Sequence, residues 1–111
     1  MTDQGKAFEK IKAQLAKDKL VIYMKGTPEM PRCGFSRQAC GILELHAKPF
    51  AAYDVLGDEE LWNHLDELSG WPTFPQIFLD GQLLGGCDIV TELHESGELG
   101  KALDEAFATV K

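Results

Sequence analysis

The sequence predicts an α/β fold: a central, mixed four-stranded sheet flanked by helices. Three observations carry this. Leu20 to Met24 is a continuous apolar run, short and β-branched enough for a strand buried on both faces. Helical and strand-like patterns then alternate as far as Gly70. Beyond that, two short apolar runs flank Asp80-Gly81, the strongest short-range signal for a tight hairpin.

The elements follow in order. Phe8, Ile11 and Leu15 recur at helical spacing between Lys, Gln and Asp, as in an amphipathic first helix. The strand Leu20–Met24 ends at Lys25-Gly26, and two prolines between Gly26 and Arg32 make that stretch a loop. A helical pattern begins near Gly34 and runs to about His46. Phe50 to Val55 predicts a second strand. Asp58-Glu59-Glu60 supplies an acidic first turn to a helix carrying Leu61, Leu65 and Leu68, which Gly70 stops. Gln76–Leu79 and Gln82–Leu84 form the hairpin strands, and two short helical patterns follow, the last with a stripe of Leu99, Leu103, Phe107 and Val110. A β-α-β half, a β-β-α half and an extra helix in front is the order of the thioredoxin-like fold, although many small α/β domains share it.

Bulk properties narrow the functional classes. The 111 residues suit one compact domain spanning 1–111, and 44% apolar with 26% charged residues is ordinary globular usage. Eighteen acidic side chains against eleven basic ones leave a formal charge of −7, which argues against nucleic acid as a partner. No apolar run approaches the roughly 20 residues of a membrane span, and the charged start lacks the apolar stretch of a signal peptide. A soluble, cytoplasmic chain is the expectation. Three cysteines cannot all pair within the chain, which points to a reducing compartment.

Cys33 lies one residue before the predicted helix start, where unpaired N–H groups and the helix dipole favour an anion. Its thiol should therefore ionise readily, with Lys25 as a further positive charge. The competing reading of any lone cysteine is a small buried hydrophobe. Cys40 sits seven residues further on, roughly 10 Å along a helix. A disulfide needs Cα atoms within about 7 Å, so Cys40 is assigned to core packing. His46, His64 and His94 stand at no ligand spacing from a cysteine or from each other and are read as surface or helix-end residues.

The block Lys25-Gly26-Thr27-Pro28-Glu29-Met30-Pro31-Arg32-Cys33-Gly34-Phe35-Ser36 closely resembles the active-site segment of monothiol glutaredoxins. Trp71-Pro72-Thr73-Phe74-Pro75-Gln76 resembles that family's cis-proline segment, and Gly85-Gly86-Cys87-Asp88 its third glutathione-contacting segment. The resemblance implies that Cys33 is the reactive thiol and a metal ligand, and that Lys25, Phe35, Thr73, Phe74, Cys87 and Asp88 bind glutathione. Lys25 would pair with the glycine carboxylate. Phe74, before a cis Pro75, would offer its backbone to the glutathione cysteine, and Asp88 would meet the γ-glutamyl ammonium group; by residue type alone Asp88 reads as a helix N-cap, and both roles can hold together. Phe35 is expected to line the groove and Trp71 to pack. Ser36 stands where dithiol relatives carry a second cysteine, so no Cys-x-x-Cys disulfide can form. The resemblance implies that the Cys87 loop abuts the Cys33 loop, which would leave an internal Cys33–Cys87 disulfide open under oxidation.

A two-iron cluster usually takes four thiolates. One well-placed cysteine per chain leaves two vacancies in a dimer, which glutathione can fill. The resemblance therefore implies a 2Fe-2S cluster bridging a homodimer through two Cys33 thiolates and two glutathiones. Cluster assembly, storage or transfer would follow, with a BolA-type protein and iron–sulfur acceptor proteins as partners. The alternative is a glutathione-dependent thiol–disulfide oxidoreductase acting through Cys33, which this branch of the family performs poorly. A third reading is an interaction module that responds to cluster loading. One departure stands out. Where relatives often carry an Arg that helps Lys25, this chain has Trp62, followed one turn later by Asp66; Arg37 and His64 are the candidate substitutes.

Overall fold

The computed structural model describes residues 2–108 and contains five α-helices and four strands within them. Helix α1 (Asp3–Lys17) starts at Thr2, whose Oγ1 accepts the Gly5 N–H at 2.9 Å. It leads into β1 (Leu20–Met24), buried at every position as the unbroken apolar run requires. Helix α2 (Gly34–Leu45) follows, then β2 (Ala51–Asp54). Val55, expected to end that strand, instead opens a 3₁₀ turn because the Asp54 carboxylate caps the Leu56 N–H at 2.9 Å.

Helix α3 (Glu59–Ser69) is capped by Asp58, whose Oδ1 accepts from Leu61, and ends at Gly70. Strands β3 (Gln76–Leu79) and β4 (Gln82–Gly85) form the expected hairpin. Asp80 and Gly81 both take positive φ, 53° and 78°, the geometry that lets a two-residue turn match strand twist. Helices α4 (Cys87–Ser96) and α5 (Glu98–Ala108) complete the chain. Leu99 and Leu103 of the last stripe are buried and Phe107 packs against them; Val110 lies outside the described residues.

The sheet order is β2-β1-β3-β4, with β1 parallel to β2 and antiparallel to β3, and β3 antiparallel to β4. Alternation along β1 divides the core in two. Leu20, Ile22 and Met24 face Ala39 and Leu43 of α2, Val90 of α4, and Leu99 and Leu103 of α5. Val21 and Tyr23 face Ile11 of α1 and Leu61 and Leu65 of α3. Cys40 lies buried in the first cluster, as its packing role requires. This is the expected thioredoxin-like arrangement.

Candidate functional site

The N-terminal ends of α2 and α4, the end of β1 and the turn before β3 border one cavity of about 560 Å³. All seven site residues expected from sequence line it: Lys25, Cys33, Phe35, Thr73, Phe74, Cys87 and Asp88. They come from three segments far apart in the chain.

Cys33 is the N-cap of α2, in extended conformation, and its Sγ makes no capping hydrogen bond. Its thiol is held below the ordinary cysteine range, chiefly by the Ser36 backbone N–H. Partial burial opposes this, and the Phe35 N–H, the Ser36 hydroxyl and the Lys25 charge add to it. The helix-end effect anticipated from sequence thus acts through named first-turn amides, with Lys25 the smallest contributor.

Ser36, read in sequence only as an absent second cysteine, has a structural task of its own. It is fully buried, and its Oγ accepts the Lys25 N–H at 3.0 Å, tying the end of β1 to the first turn of α2. The intervening loop is closed by further bonds. Arg32 N–H donates to Lys25 O at 2.9 Å, Thr27 and Met30 exchange backbone bonds, and Gly26 N–H donates to Asp54 Oδ1 at 2.9 Å. Gly26 has φ of 92°, and a Cβ there would stand 2.7 Å from Arg32 N.

Across the cavity the Phe74–Pro75 peptide is cis, as expected. Gln76, buried behind it, donates through Nε2 to Trp71 O at 2.9 Å and Thr73 O at 3.1 Å and so fastens this turn from inside the sheet. Trp71, expected only to pack, also lines the cavity while lying against the Gly86 backbone. Asp88 is not the N-cap of α4. Gly86 holds that position, and Asp88 sits exposed in the first turn, where its charge complements the helix dipole and its carboxylate is left facing the cavity.

Cys87 opens α4 and is buried; burial raises its thiol pKa, the Thr91 hydroxyl eases it, and Asp88 and Cys33 raise it further. Burial pushes the Cys40 thiol up to about 11. All three cysteines are free.

Trp62 and Asp66 of α3 line the cavity as well. The Trp62 ring stacks on Phe74 with centroids 5.6 Å apart, and Lys25 Nζ stands 5.7 Å from its centre. Neither candidate substitute for the missing cation reaches this wall. Arg37 does not line the cavity, and His64 binds Glu67 at 2.7 Å on the same helix. His46 and His94 are helix-end residues as expected, yet the fold brings them together, Nε2 to Nδ1 at 3.0 Å, at the C-terminal ends of α2 and α4. Among the described residues no three His, Cys, Asp or Glu side chains form a metal-binding group, and no helix is long and apolar enough to cross a membrane.

Comparison with known proteins agrees with this geometry. The glutaredoxin family model matches residues 20–84. The chain is 44% identical over 104 residues to glutaredoxin 4 of Escherichia coli strain K12, covering 94% of this chain and 90% of that protein. It is also 44% identical over 108 residues to the probable monothiol glutaredoxin 2 of Rickettsia typhi, covering 97% of each. The solution structure of reduced apo GrxS14 from poplar superposes with a TM-score of 0.84 at 38% identity, covering 98% of this chain and all of that one. With Ser36 in the fourth place of Cys33-Gly34-Phe35-Ser36, the chain belongs to the monothiol glutaredoxins.

Proposed function

We propose that this chain, read as a single domain, binds glutathione in the cavity beside Cys33. Two copies would then hold a 2Fe-2S cluster between two Cys33 thiolates and two glutathione thiolates, for assembly, storage or transfer to acceptor proteins. The observation that carries this reading is Cys33 itself: one thiol of lowered pKa at a peptide-sized cavity, with no further metal-ligating cluster among the described residues. Cys87, the other cavity thiol, is buried with its pKa raised, so each copy offers Cys33 as its ready thiolate, and glutathione supplies the rest of the four in this reading. Lys25 supports the glycine carboxylate, the Phe74 backbone the central cysteine, and Cys87 backbone and Asp88 the γ-glutamyl end; Phe35 and Thr73 complete the walls. The cluster is cargo, and ligands held partly by non-covalent contacts suit its release. A BolA-type protein is a partner consistent with this role in the cytoplasm.

Anaerobic reconstitution with iron, sulfide and glutathione, read by visible spectrum and gel filtration, tests the proposal. A coloured dimer is expected from the native chain and from Cys40→Ser, and a colourless monomer from Cys33→Ser. A colourless monomer from the native chain overturns the reading.

The lowered Cys33 pKa also favours a second reading. The Cys33 thiolate would attack the glutathione sulfur of a mixed disulfide, expelling the protein thiol. A second glutathione thiolate would then attack the Cys33-bound sulfur, restoring Cys33 and releasing glutathione disulfide. Rapid turnover of a glutathionylated peptide would place this activity first.

A further inference from the structure

The α3 wall of the cavity has an unusual balance of groups for receiving a carboxylate. Of the side chains lining the cavity Lys25 alone is cationic, against Asp66 and Asp88. The Lys25 ammonium already faces the Trp62 ring, and Trp62 is 47% exposed, so this ring is not a core residue. It is held against the cavity by its stack on Phe74. Asp66 lies one helical turn beyond Trp62 on α3 and lines the same space.

A carboxylate arriving here meets one lysine and an aspartate that repels it. A terminal amide meets the same lysine through its carbonyl oxygen, and its N–H groups find an acceptor in Asp66. Its planar group can also lie on the indole face. Charge gives the acid little advantage over the amide.

We infer that the Trp62–Asp66 wall recognises the glycyl end of the thiol ligand by stacking and hydrogen bonding beside the single charge of Lys25, rather than by a second ion pair. The site therefore takes glutathione thiols whose terminal carboxylate is capped as an amide about as well as glutathione itself. This rests on the reading of the cavity as the glutathione site. Trp62 is then a specificity-determining residue of that site.

Calorimetric titration with S-methylglutathione and its glycyl amide, neither of which exchanges with Cys33, tests it. The native chain should bind the two within about fivefold. Trp62→Arg, at a half-exposed position, adds a forked donor for a carboxylate and should raise the acid-to-amide preference by about tenfold. A native chain that prefers the acid by more than about fivefold overturns the inference, as does a Trp62→Arg preference equal to the native one. A native chain that binds neither ligand overturns the glutathione reading and this inference together, whereas one that binds the acid and rejects the amide overturns this inference alone.

Discussion

The hydroxyl of Ser36 accepts the backbone N–H of Lys25 at 3.0 Å, so one buried side chain joins the strand that ends at the cavity to the helix that carries Cys33. Ser36→Ala leaves that N–H without its partner and should cost about 1–3 kcal/mol of stability in urea denaturation. It also removes a hydroxyl that favours the Cys33 thiolate. The midpoint of Cys33 ionisation, followed by thiolate absorbance, should rise, and alkylation at neutral pH should slow. An unchanged midpoint would show that the Ser36 hydroxyl contributes nothing to the Cys33 thiolate beyond the backbone amides and Lys25.

The three thiols should be chemically unequal. Iodoacetamide should modify Cys33 first, because its pKa is lowered. Cys87 should lag, since its thiol is buried and its pKa raised. Cys40, with a pKa of about 11 in the core, should react only after unfolding. Mass spectrometry of a labelling time course reads the order directly, and early modification of Cys40 would contradict its place in the core.

Stability should depend on pH through Cys33 with a definite sign. Its folded pKa lies below the ordinary 9.0, so the folded state gains from ionisation. That gain is complete above pH 9.0 and disappears as pH falls through the folded midpoint. The stability of the native chain relative to Cys33→Ser should therefore grow from neutral to alkaline pH; a flat difference would mean the thiolate is no better off folded than unfolded.

Gly26→Ala should be severe for one position in a loop. The substitution demands positive φ from a residue with a Cβ and drives that atom into the Met30 carbonyl and Arg32 N. A loss of more than about 2 kcal/mol is expected, together with slower Cys33 alkylation as the loop shifts. Thermal unfolding checks the first and labelling rate the second.

Lys10 of α1 bridges Asp58 and Glu60 at the start of α3. Burial pulls the Asp58 carboxyl upward, but the Lys10 ammonium and the Leu61 and Glu60 N–H groups outweigh it and lower its pKa. This contribution is present above the ordinary carboxylate value of 3.8 and is lost as pH falls. Because these groups are partly exposed, Lys10→Met should cost no more than about 1 kcal/mol at pH 7, and less in high salt.

Local chemistry made most of the fold legible. The Leu20–Met24 run announced a central strand, Asp80-Gly81 a hairpin, and Asp58 and Gly70 the ends of a helix, because each depends on neighbours a few residues away. Cys33 as an N-cap was legible for the same reason. The misses depend on distance along the chain. Ser36 meets Lys25 across 11 residues and His46 meets His94 across 48, and no periodicity encodes either contact. Asp88 has the residue type of a cap, but the N-cap of α4 is Gly86, two residues earlier, just after Gly85 with its φ of 143°. Trp71 lines the cavity because Gly86 leaves room for its ring, a pairing between two segments that pattern alone does not link.

Cys33 holds the N-cap position of α2 with a sulfur that has two protonation states. That sulfur makes no capping hydrogen bond, and the Ser36 and Phe35 N–H groups favour its thiolate. Whatever consumes that charge, whether a proton, an alkyl group or a second sulfur, takes away the anion that those first-turn amides favour. Hydrogen exchange at the first turn of α2 would then read the chemical state of one atom as fraying, so the chain carries its own reporter of whether its thiol is free.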